Sequence, residues 1–535
     1  MLITRKVGDI EIFRASDEHE KRVYTKIKES VFKNFSPGTY TDKTEIIKIV
    51  NLIYDQYHAI LDEYLPKVNP KKIVSFLAIQ YECYGKVLYA YNNNKLSEDD
   101  EELWTSYAGY SRRSIKYILE LCCRSKMDLS KVASTEEEQE DAISMVFIAA
   151  EELVSLYMRS DHYYHVLDEV TLTLNPEKHE YFDVEQDGDI KLDIRDPARD
   201  LYKYISSPMF IENIDAHDEI LKESFVETLG VSYKDSLCIL NSIIEENSKS
   251  DKPEKLGKFE WDQVLSIITT KYNITLPQAE LLLDGFSLSS ENLADRKLYR
   301  PKEEYRAYKR AFFKNSIDGI NYACFSRRMA IECLTLLASD VSFKKLPSEW
   351  CSKSVEKSLD VLSLKAGRWF EKEVEQNLNK IGIKGSSSIK ALSTSETTKL
   401  NIPNDVGEID FLGFHEDLKL LVIIEVKQVK FATEPRMFLD DISKFTDGPK
   451  SYSAKFIKKY NWVLDNIIDV EKHFSYKFDF TSKLNVAGYA IITLYPTIAT
   501  IKIKEFSCIS LSEFMNKFNA NQVWPFSNTP IIRPK

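Results

Sequence analysis

Four charged residues in the C-terminal third of the sequence have a spacing that could perform chemistry. Glu408 and Asp410 lie in one apolar-rich segment, Glu425 and Lys427 lie in the next, and residues 415–419 separate the two segments. Two such runs around a short polar turn predict an antiparallel hairpin. In a hairpin centred on that turn, Asp410 lies opposite Glu425. Glu408 then lies opposite Lys427, and the two-residue period of a strand puts all four side chains on one face.

Opposed carboxylates at Asp410 and Glu425 would repel each other unless a cation lay between them, because facing Cβ atoms are only about 4.5–5.5 Å apart. Oxygen ligands of this kind suit Mg²⁺, which takes one or two protein carboxylates and keeps several waters. Such an ion polarises a phosphoryl group and lowers the pKa of a bound water. Lys427 would orient that water and offset the developing charge. The spacing therefore predicts a Mg²⁺ site, with Mn²⁺ as a substitute.

The other face of this hairpin is predicted to be buried, because it carries Ile409, Phe411, Ile424 and Val426. Residues 420–424 form a continuous apolar run, which indicates a central strand covered on both faces. Burying an acid and a lysine in such a strand costs free energy, which indicates that these residues have a function. The alternative is a ladder of cross-strand ion pairs on a solvent-exposed sheet face.

The elements around the hairpin predict a mixed sheet flanked by helices. A long amphipathic helical pattern begins near residue 353 and runs into GIKGSSS and then into strands, so the order is helix, strand, strand, strand, helix, strand. The later strands are predicted at 405–415, 419–429 and 486–494, with helices at 435–446 and 450–472.

These residues resemble the PD-(D/E)XK, or restriction-endonuclease-like, nuclease superfamily over about residues 353–515. Its motif is an acid at the end of one strand, then an acid, any residue and a lysine on the next. Asp410 and the run Glu425-Val426-Lys427 match it. No proline precedes Asp410, where Ile409 stands instead.

Two further positions match the superfamily less specifically. Residues 367–371 resemble the first core helix, which implies that Glu371 supplies a further acid. Gln428 after the lysine also recurs in several branches, although strand alternation points it away from Lys427.

The resemblance implies an α/β restriction-endonuclease-like domain at 353–535 and a Mg²⁺-dependent endonuclease. Asp410 and Glu425 would bind the metal, Lys427 would position water, and Glu371 and Glu408 would assist. Nucleic acid would be the partner, DNA rather than RNA, in bacterial antiviral defence or restriction. The alternative is a catalytically inactive nuclease fold that binds nucleic acid or serves as a scaffold.

Two groups of basic residues outside this motif are candidates for nucleic-acid contacts. Lys455, Lys458 and Lys459 share one helix face, where they could bind a phosphate backbone or could simply be solvated. A second basic tract at 296–314 includes Arg306, Lys309 and Arg310. The alternative for that tract is contact with an acidic surface of this chain or of a partner.

For the rest of the chain, the sequence predicts a mainly helical N-terminal part. No motif in this part indicates a specific chemistry. A helical region is expected at 1–165 and a second one, with a β-hairpin at 168–195, at 166–350. This part would serve recognition, regulation or assembly, including a homo-oligomer.

Composition and charge restrict the class of protein and its expected location in the cell. The 535 residues carry a formal net charge of −11, yet residues 361–535 hold 24 Lys and Arg against 20 Asp and Glu. This asymmetry permits a local phosphate-binding surface. The sequence shows no signal-peptide pattern and no apolar stretch of bilayer length, which predicts a cytoplasmic protein without membrane contact. Eight Cys without a CxxC pair argue against a disulfide scaffold.

Overall fold

The protein was analysed as a computed structural model, which describes residues 4–124, 132–161, 167, 169–178, 182–186, 195–206, 209–248, 256–294, 304–317, 319–433, 435–521 and 523–533. The chain forms two compact units, one of residues 1–187 with 214–360 and one of residues 188–213 with 361–535. The two N-terminal regions that the sequence separates near residue 165 therefore lie largely in one unit, and the second unit takes in a short earlier segment.

The helices within the described residues are, in chain order, α1 (Asp17–Asn34), α2 (Lys43–Tyr64), α3 (Pro70–Asn92), α4 (Glu98–Arg124), α5 (Glu136–Asp161), α6 (Arg195–Asp200), α7 (Ile214–Leu229), α8 (Tyr233–Asn247), α9 (Trp261–Tyr272), α10 (Leu276–Asp284), α11 (Ser290–Leu293), α12 (Arg327–Asp340), α13 (Lys353–Lys380), α14 (Pro435–Thr446), α15 (Tyr452–Asp465), α16 (Ile467–Phe478) and α17 (Leu511–Asn521).

The strands are β1 (Thr4–Val7), β2 (Ile10–Phe13), β3 (Gly38–Tyr40), β4 (Val170–Leu174), β5 (Phe182–Gln186), β6 (Leu256–Glu260), β7 (Ser287–Leu288), β8 (Phe312–Ile317), β9 (Ile320–Ser326), β10 (Ile383–Ile389), β11 (Ala391–Ser393), β12 (Lys399–Asn401), β13 (Ile409–His415), β14 (Leu420–Lys427), β15 (Val486–Thr493), β16 (Ser507–Ser510) and β17 (Asn528–Pro530).

The first unit is built mainly from helices whose apolar residues recur every three or four positions. In α2, for example, Ile46, Ile49 and Ile53 are all buried on one face, as the sequence pattern predicts. The ends of several helices are fixed by side-chain caps. Ser16 accepts a hydrogen bond from the backbone N–H of His19 at the start of α1.

The sheets of the first unit agree only in part with the predicted pattern. β4 and β5 pair antiparallel, which confirms two strands of the hairpin predicted at 168–195, while residues 187–194 of that hairpin lie outside the described residues. The sheet of order β6-β9-β8-β7 corrects the prediction from the sequence, which gives helical periodicity across that region. Short apolar runs do not distinguish a strand from a buried helix segment.

The second unit contains a mixed sheet, as predicted, with six described strands in the order β10-β13-β14-β15-β16 and β17 beside β15. β10, β13 and β14 are antiparallel neighbours, whereas β15 runs parallel to β14 and β16 parallel to β15. A parallel neighbour requires a crossover, which here contains α14, α15 and α16. The long helix predicted at 450–472 is divided into α15 and α16 at Asn466.

Strand β14 lies at the centre of this sheet. Residues 420–426 are all buried, which confirms that both faces are covered. The pairing of His415 with Leu420 and of Phe411 with Ile424 confirms the predicted register of the hairpin. Apolar residues of β13 and β14 pack in one core with residues of α15 and α16, including Phe456, Val463 and Phe474.

None of the helices in the ranges given above is both long enough and apolar enough to cross a membrane.

Gly413 of β13 tests how closely the antiparallel strands pack. A Cβ at this position would lie 2.6 Å from the carbonyl oxygen of Lys384 on β10. We expect Gly413→Ala to lower the free energy of unfolding of the second unit by about 1–3 kcal/mol, because backbone has to move. Gly367→Ala is the control, since nothing lies within 4 Å of its Cβ and α13 gains a better helix former. Urea unfolding followed by hydrogen exchange of β13 measures both, and an unchanged stability of Gly413→Ala would contradict the packing.

Candidate functional site

The site lies where the ladder between β13 and β14 ends. Pairing runs from His415 and Leu420 to Phe411 and Ile424. One residue further, Oδ2 of Asp410 accepts a hydrogen bond of 2.9 Å from the backbone N–H of Val426. The carboxylate of Asp410 thus reaches across to β14 instead of pointing into solvent.

Asp410, Glu425 and Lys427 meet as the sequence predicts. Lys427 Nζ lies 3.0 Å from Asp410 Oδ2 and 2.7 Å from Glu425 Oε1, and it also donates to the carbonyl oxygen of Val426 at 3.0 Å. The exposed fraction is only 8% for Asp410 and 2% for Glu425. The alternative of an ion-pair ladder on a solvent-exposed sheet face is therefore wrong, because these carboxylates are buried.

A second lysine completes the site from α15. Lys459 Nζ lies 2.9 Å from Asp410 Oδ1 and 2.5 Å from Glu425 Oε2. We call Asp410, Glu425, Lys427 and Lys459 the charge quartet. Each lysine bridges the two carboxylates, so positive and negative groups alternate around a closed ring.

The prediction that Lys459 contacts nucleic acid together with Lys455 and Lys458 is wrong. Its side chain is buried against the carboxylates, whereas Lys455 and Lys458 of the same helix are exposed and remain candidates. A sequence signal for this difference exists: Phe456, Lys459 and Val463 are the buried residues of α15 and follow helical spacing. A lysine within an apolar stripe indicates a buried partner of opposite charge.

The neighbouring charges shift the pKa values of Asp410 and Lys427. Burial alone would raise the pKa of Asp410, but the positive charges of Lys427 and Lys459, with hydrogen bonds from Lys459 and Val426, lower it overall. Burial alone would lower the pKa of Lys427, but the charges and hydrogen bonds of Glu425 and Asp410 raise it. Both groups are therefore charged at neutral pH.

Glu371 of α13 lies at the edge of this site without joining the quartet. Its Oε2 accepts a hydrogen bond of 2.8 Å from Ser388 Oγ. Burial raises the pKa of Glu371, and the negative charges of Asp410 and Glu408 act in the same direction, while Ser388 and Lys427 oppose them. Ser388 has a positive φ of 58°, an uncommon conformation for serine, and lies between Ser387 and Ile389, which pair with Phe411 and Ile409 of β13.

The two accessory candidates lie elsewhere. The carboxylate of Glu408 is 3.3 Å from Lys390 Nζ, so Glu408 pairs with Lys390 rather than with Lys427 as the extended register predicts. This difference follows from the end of the ladder at Phe411. Gln428 follows β14, and its Nε2 is buried without a hydrogen-bond partner among the described residues.

The second basic tract, in the first unit, is engaged within the chain. Arg306 pairs with Glu120 at 3.0 Å and Lys309 with Asp340 at 2.7 Å. Arg310 pairs with Glu349 at 2.7 Å and is fully buried, so it offers no surface to nucleic acid. These pairs agree with the alternative of an acidic surface of the same chain. Residues 296–303 of the tract lie outside the described residues.

The two carboxylates of the quartet are the residues that could hold a divalent cation. Across the described residues, three or more His, Cys, Asp or Glu side chains nowhere converge as a metal-binding group, and the quartet itself offers two carboxylates. That number suits Mg²⁺, which keeps several of its waters. The pair of Asp410 and Glu425 already binds cations in the structure, since each ammonium group contacts one oxygen of each carboxylate.

Comparison with known proteins gives no match to a family model, to a curated protein or to a solved structure. The function therefore has to be inferred from the residues and their geometry.

Removing Lys459 should destabilise the second unit. Lys459→Met leaves two buried carboxylates with one lysine, and breaking a buried ion pair costs about 3–5 kcal/mol. Lys458→Met is the matched control on the exposed face of α15 and should change the free energy of unfolding by less than about 0.5 kcal/mol. Urea unfolding monitored by hydrogen exchange of β14 makes the comparison. Equal stability of the two variants would show that Lys459 does not neutralise the pair.

The stability of the second unit should also depend on Asp410 at acid pH. The folded state lowers its pKa below the ordinary value of 3.8, so its contribution is present above that value and is lost as the pH falls further. We expect wild type to lose more stability than Asp410→Asn between about pH 5 and pH 2. Parallel slopes of the free energy of unfolding against pH for the two proteins would contradict the assignment.

Proposed function

We propose that this protein is a metal-dependent nuclease that hydrolyses phosphodiester bonds of nucleic acid. The observation that carries the proposal is the buried meeting of Asp410, Glu425 and Lys427 at the end of two adjacent strands, one of them central to the sheet. An acid on one strand with an acid and a lysine two residues apart on the next is the arrangement that the PD-(D/E)XK resemblance implies.

The order of elements in the second unit supports the same proposal. The chain passes from α13 through β10, β13 and β14 to the crossover helices α14, α15 and α16 and then to β15. This agrees with the helix, three strands, helix and strand expected from the resemblance to an α/β restriction-endonuclease-like domain. β11 and β12 form a separate two-stranded ribbon between β10 and β13 and do not interrupt the main sheet.

We assign a role to each residue from its position. Asp410 and Glu425 would hold Mg²⁺, which when bound polarises the scissile phosphate and makes a bound water more acidic. Lys427 is the more accessible of the two lysines, with 21% of its side chain exposed against 9% for Lys459. It is therefore suited to orient the attacking water and to stabilise negative charge on the phosphate. Glu371 would adjust the electrostatics from its position beside Asp410.

The preference for DNA and the setting in antiviral defence or restriction rest on the resemblance alone. Lys455 and Lys458, which are exposed on the helix that carries Lys459, are candidates to contact the phosphate backbone.

One observation favours the alternative of an inactive fold. The two carboxylates and two lysines of the quartet balance in charge without a metal ion, so the site is electrostatically satisfied as it stands. In that case the domain would bind nucleic acid or serve as a scaffold without cleaving.

A cleavage assay separates these two functions. Plasmid DNA, single-stranded DNA and RNA are incubated with the full chain and Mg²⁺ or Mn²⁺, and wild type is compared with Glu425→Ala and Lys427→Ala. We expect each substitution to lower the cleavage rate by about 100-fold or more, because each removes a group that acts on the reacting phosphate. Lys384→Ala, which removes an exposed ion pair with Glu416, is the control with wild-type activity.

Cleavage that persists in both variants would contradict the site. Binding of nucleic acid without cleavage under any metal would support the inactive alternative.

A further inference from the structure

We propose that Lys459 is a built-in cation that holds Asp410 and Glu425 together in the metal-free protein, and that a divalent cation binds this pair only by displacing Lys459. The inference rests on the proposed function in one respect, which is that the two carboxylates are the metal site. It adds a residue that regulates how the site is loaded.

The first step is that no carboxylate oxygen of the quartet is without a partner. Oδ1 of Asp410 and Oε2 of Glu425 accept hydrogen bonds from Lys459. Oδ2 of Asp410 accepts from Lys427 and from the N–H of Val426, and Oε1 of Glu425 lies 2.7 Å from Lys427 Nζ. A divalent cation held by both carboxylates would therefore compete with the ammonium groups for these oxygens.

The second step is that the two lysines differ in what else holds them. Lys427 Nζ also donates a hydrogen bond to the carbonyl oxygen of Val426. It would therefore keep this hydrogen bond if the carboxylates bound a metal ion. Among the described residues, Lys459 Nζ contacts only the two carboxylates. Its flexible four-carbon stem lets the ammonium group withdraw while α15 stays in place.

The third step is electrostatic. With both lysines the quartet is neutral, so adding a divalent cation without releasing an ammonium group would leave two uncompensated positive charges in a buried site. Without the charge of Lys459 the remaining three groups carry one net negative charge, which favours a metal. Neutralising Lys459 should therefore tighten metal binding.

Direct measurement of Mn²⁺ binding to the full chain, by electron paramagnetic resonance of free Mn²⁺, tests this inference without reference to activity. Lys459→Gln removes the charge but keeps a hydrogen-bond donor, and we expect it to bind Mn²⁺ about tenfold or more tightly than wild type. Lys458→Gln, exposed on the same helix, should bind as wild type does. Glu425→Gln in the Lys459→Gln background should abolish binding, which locates the Mn²⁺ ion.

Lys459→Arg keeps the positive charge. It is the variant that tests the inference if Lys459→Gln does not fold. Its guanidinium can bridge both carboxylates, so Mn²⁺ should bind no more tightly than to wild type. Tighter binding to Lys459→Arg would overturn the inference.

Two other results would overturn it in distinguishable ways. If Glu425→Gln abolishes binding in wild type but Lys459→Gln binds no more tightly, Lys459 does not compete, and the metal-dependent function stands. The same holds if Lys427→Gln tightens binding as much as Lys459→Gln does. If no variant binds Mn²⁺, the inference and the metal-dependent function fail together.

Discussion

Two buried carboxylates that face each other are the constraint on which the second unit depends. Asp410 and Glu425 belong to adjacent strands and are nearly inaccessible to water, so their repulsion has to be offset by positive charge within the protein. Lys427 offsets it from the same strand as Glu425, and Lys459 offsets it from a helix in the crossover between β14 and β15. The ion pairs therefore join the sheet to α15 at the point where the strands separate.

The position of this site in the fold explains why charge can be concentrated there. β14 is paired antiparallel to β13 up to Ile424 and parallel to β15 up to Lys427. The ladder with β13 ends earlier, at Phe411, which frees Asp410 to bond the N–H of Val426. The paired strands therefore hold the buried carboxylates of Asp410 and Glu425 close to one another.

Sequence reasoning predicts the part of the site that local rules determine. Strand alternation and turn position are enough to place Asp410 opposite Glu425, with Lys427 on the same face, and the observed register agrees. The same rules do not predict side-chain partners that depend on tertiary contacts. Glu408 pairs with Lys390 because the ladder ends, and no pattern within the hairpin reports where that happens.

The wrong prediction for Lys459 is the most informative one. Its spacing with Lys455 and Lys458 suggests one basic face, but its spacing with Phe456 and Val463 puts it on the buried face of α15. Periodicity alone does not say which of these faces meets the sheet, since that depends on how the crossover packs. A single charged residue within an apolar stripe was the available signal, and it pointed to a buried partner of opposite charge.

Diffraction from crystals soaked in Mn²⁺, with data collected at the manganese absorption edge, would show whether a divalent cation occupies the site of Asp410 and Glu425. We expect an anomalous peak between the carboxylates of Asp410 and Glu425, with the ammonium group of Lys459 moved away from both. Saturating Mn²⁺ with no peak at this position, and with both lysines still bridging the carboxylates, would contradict it.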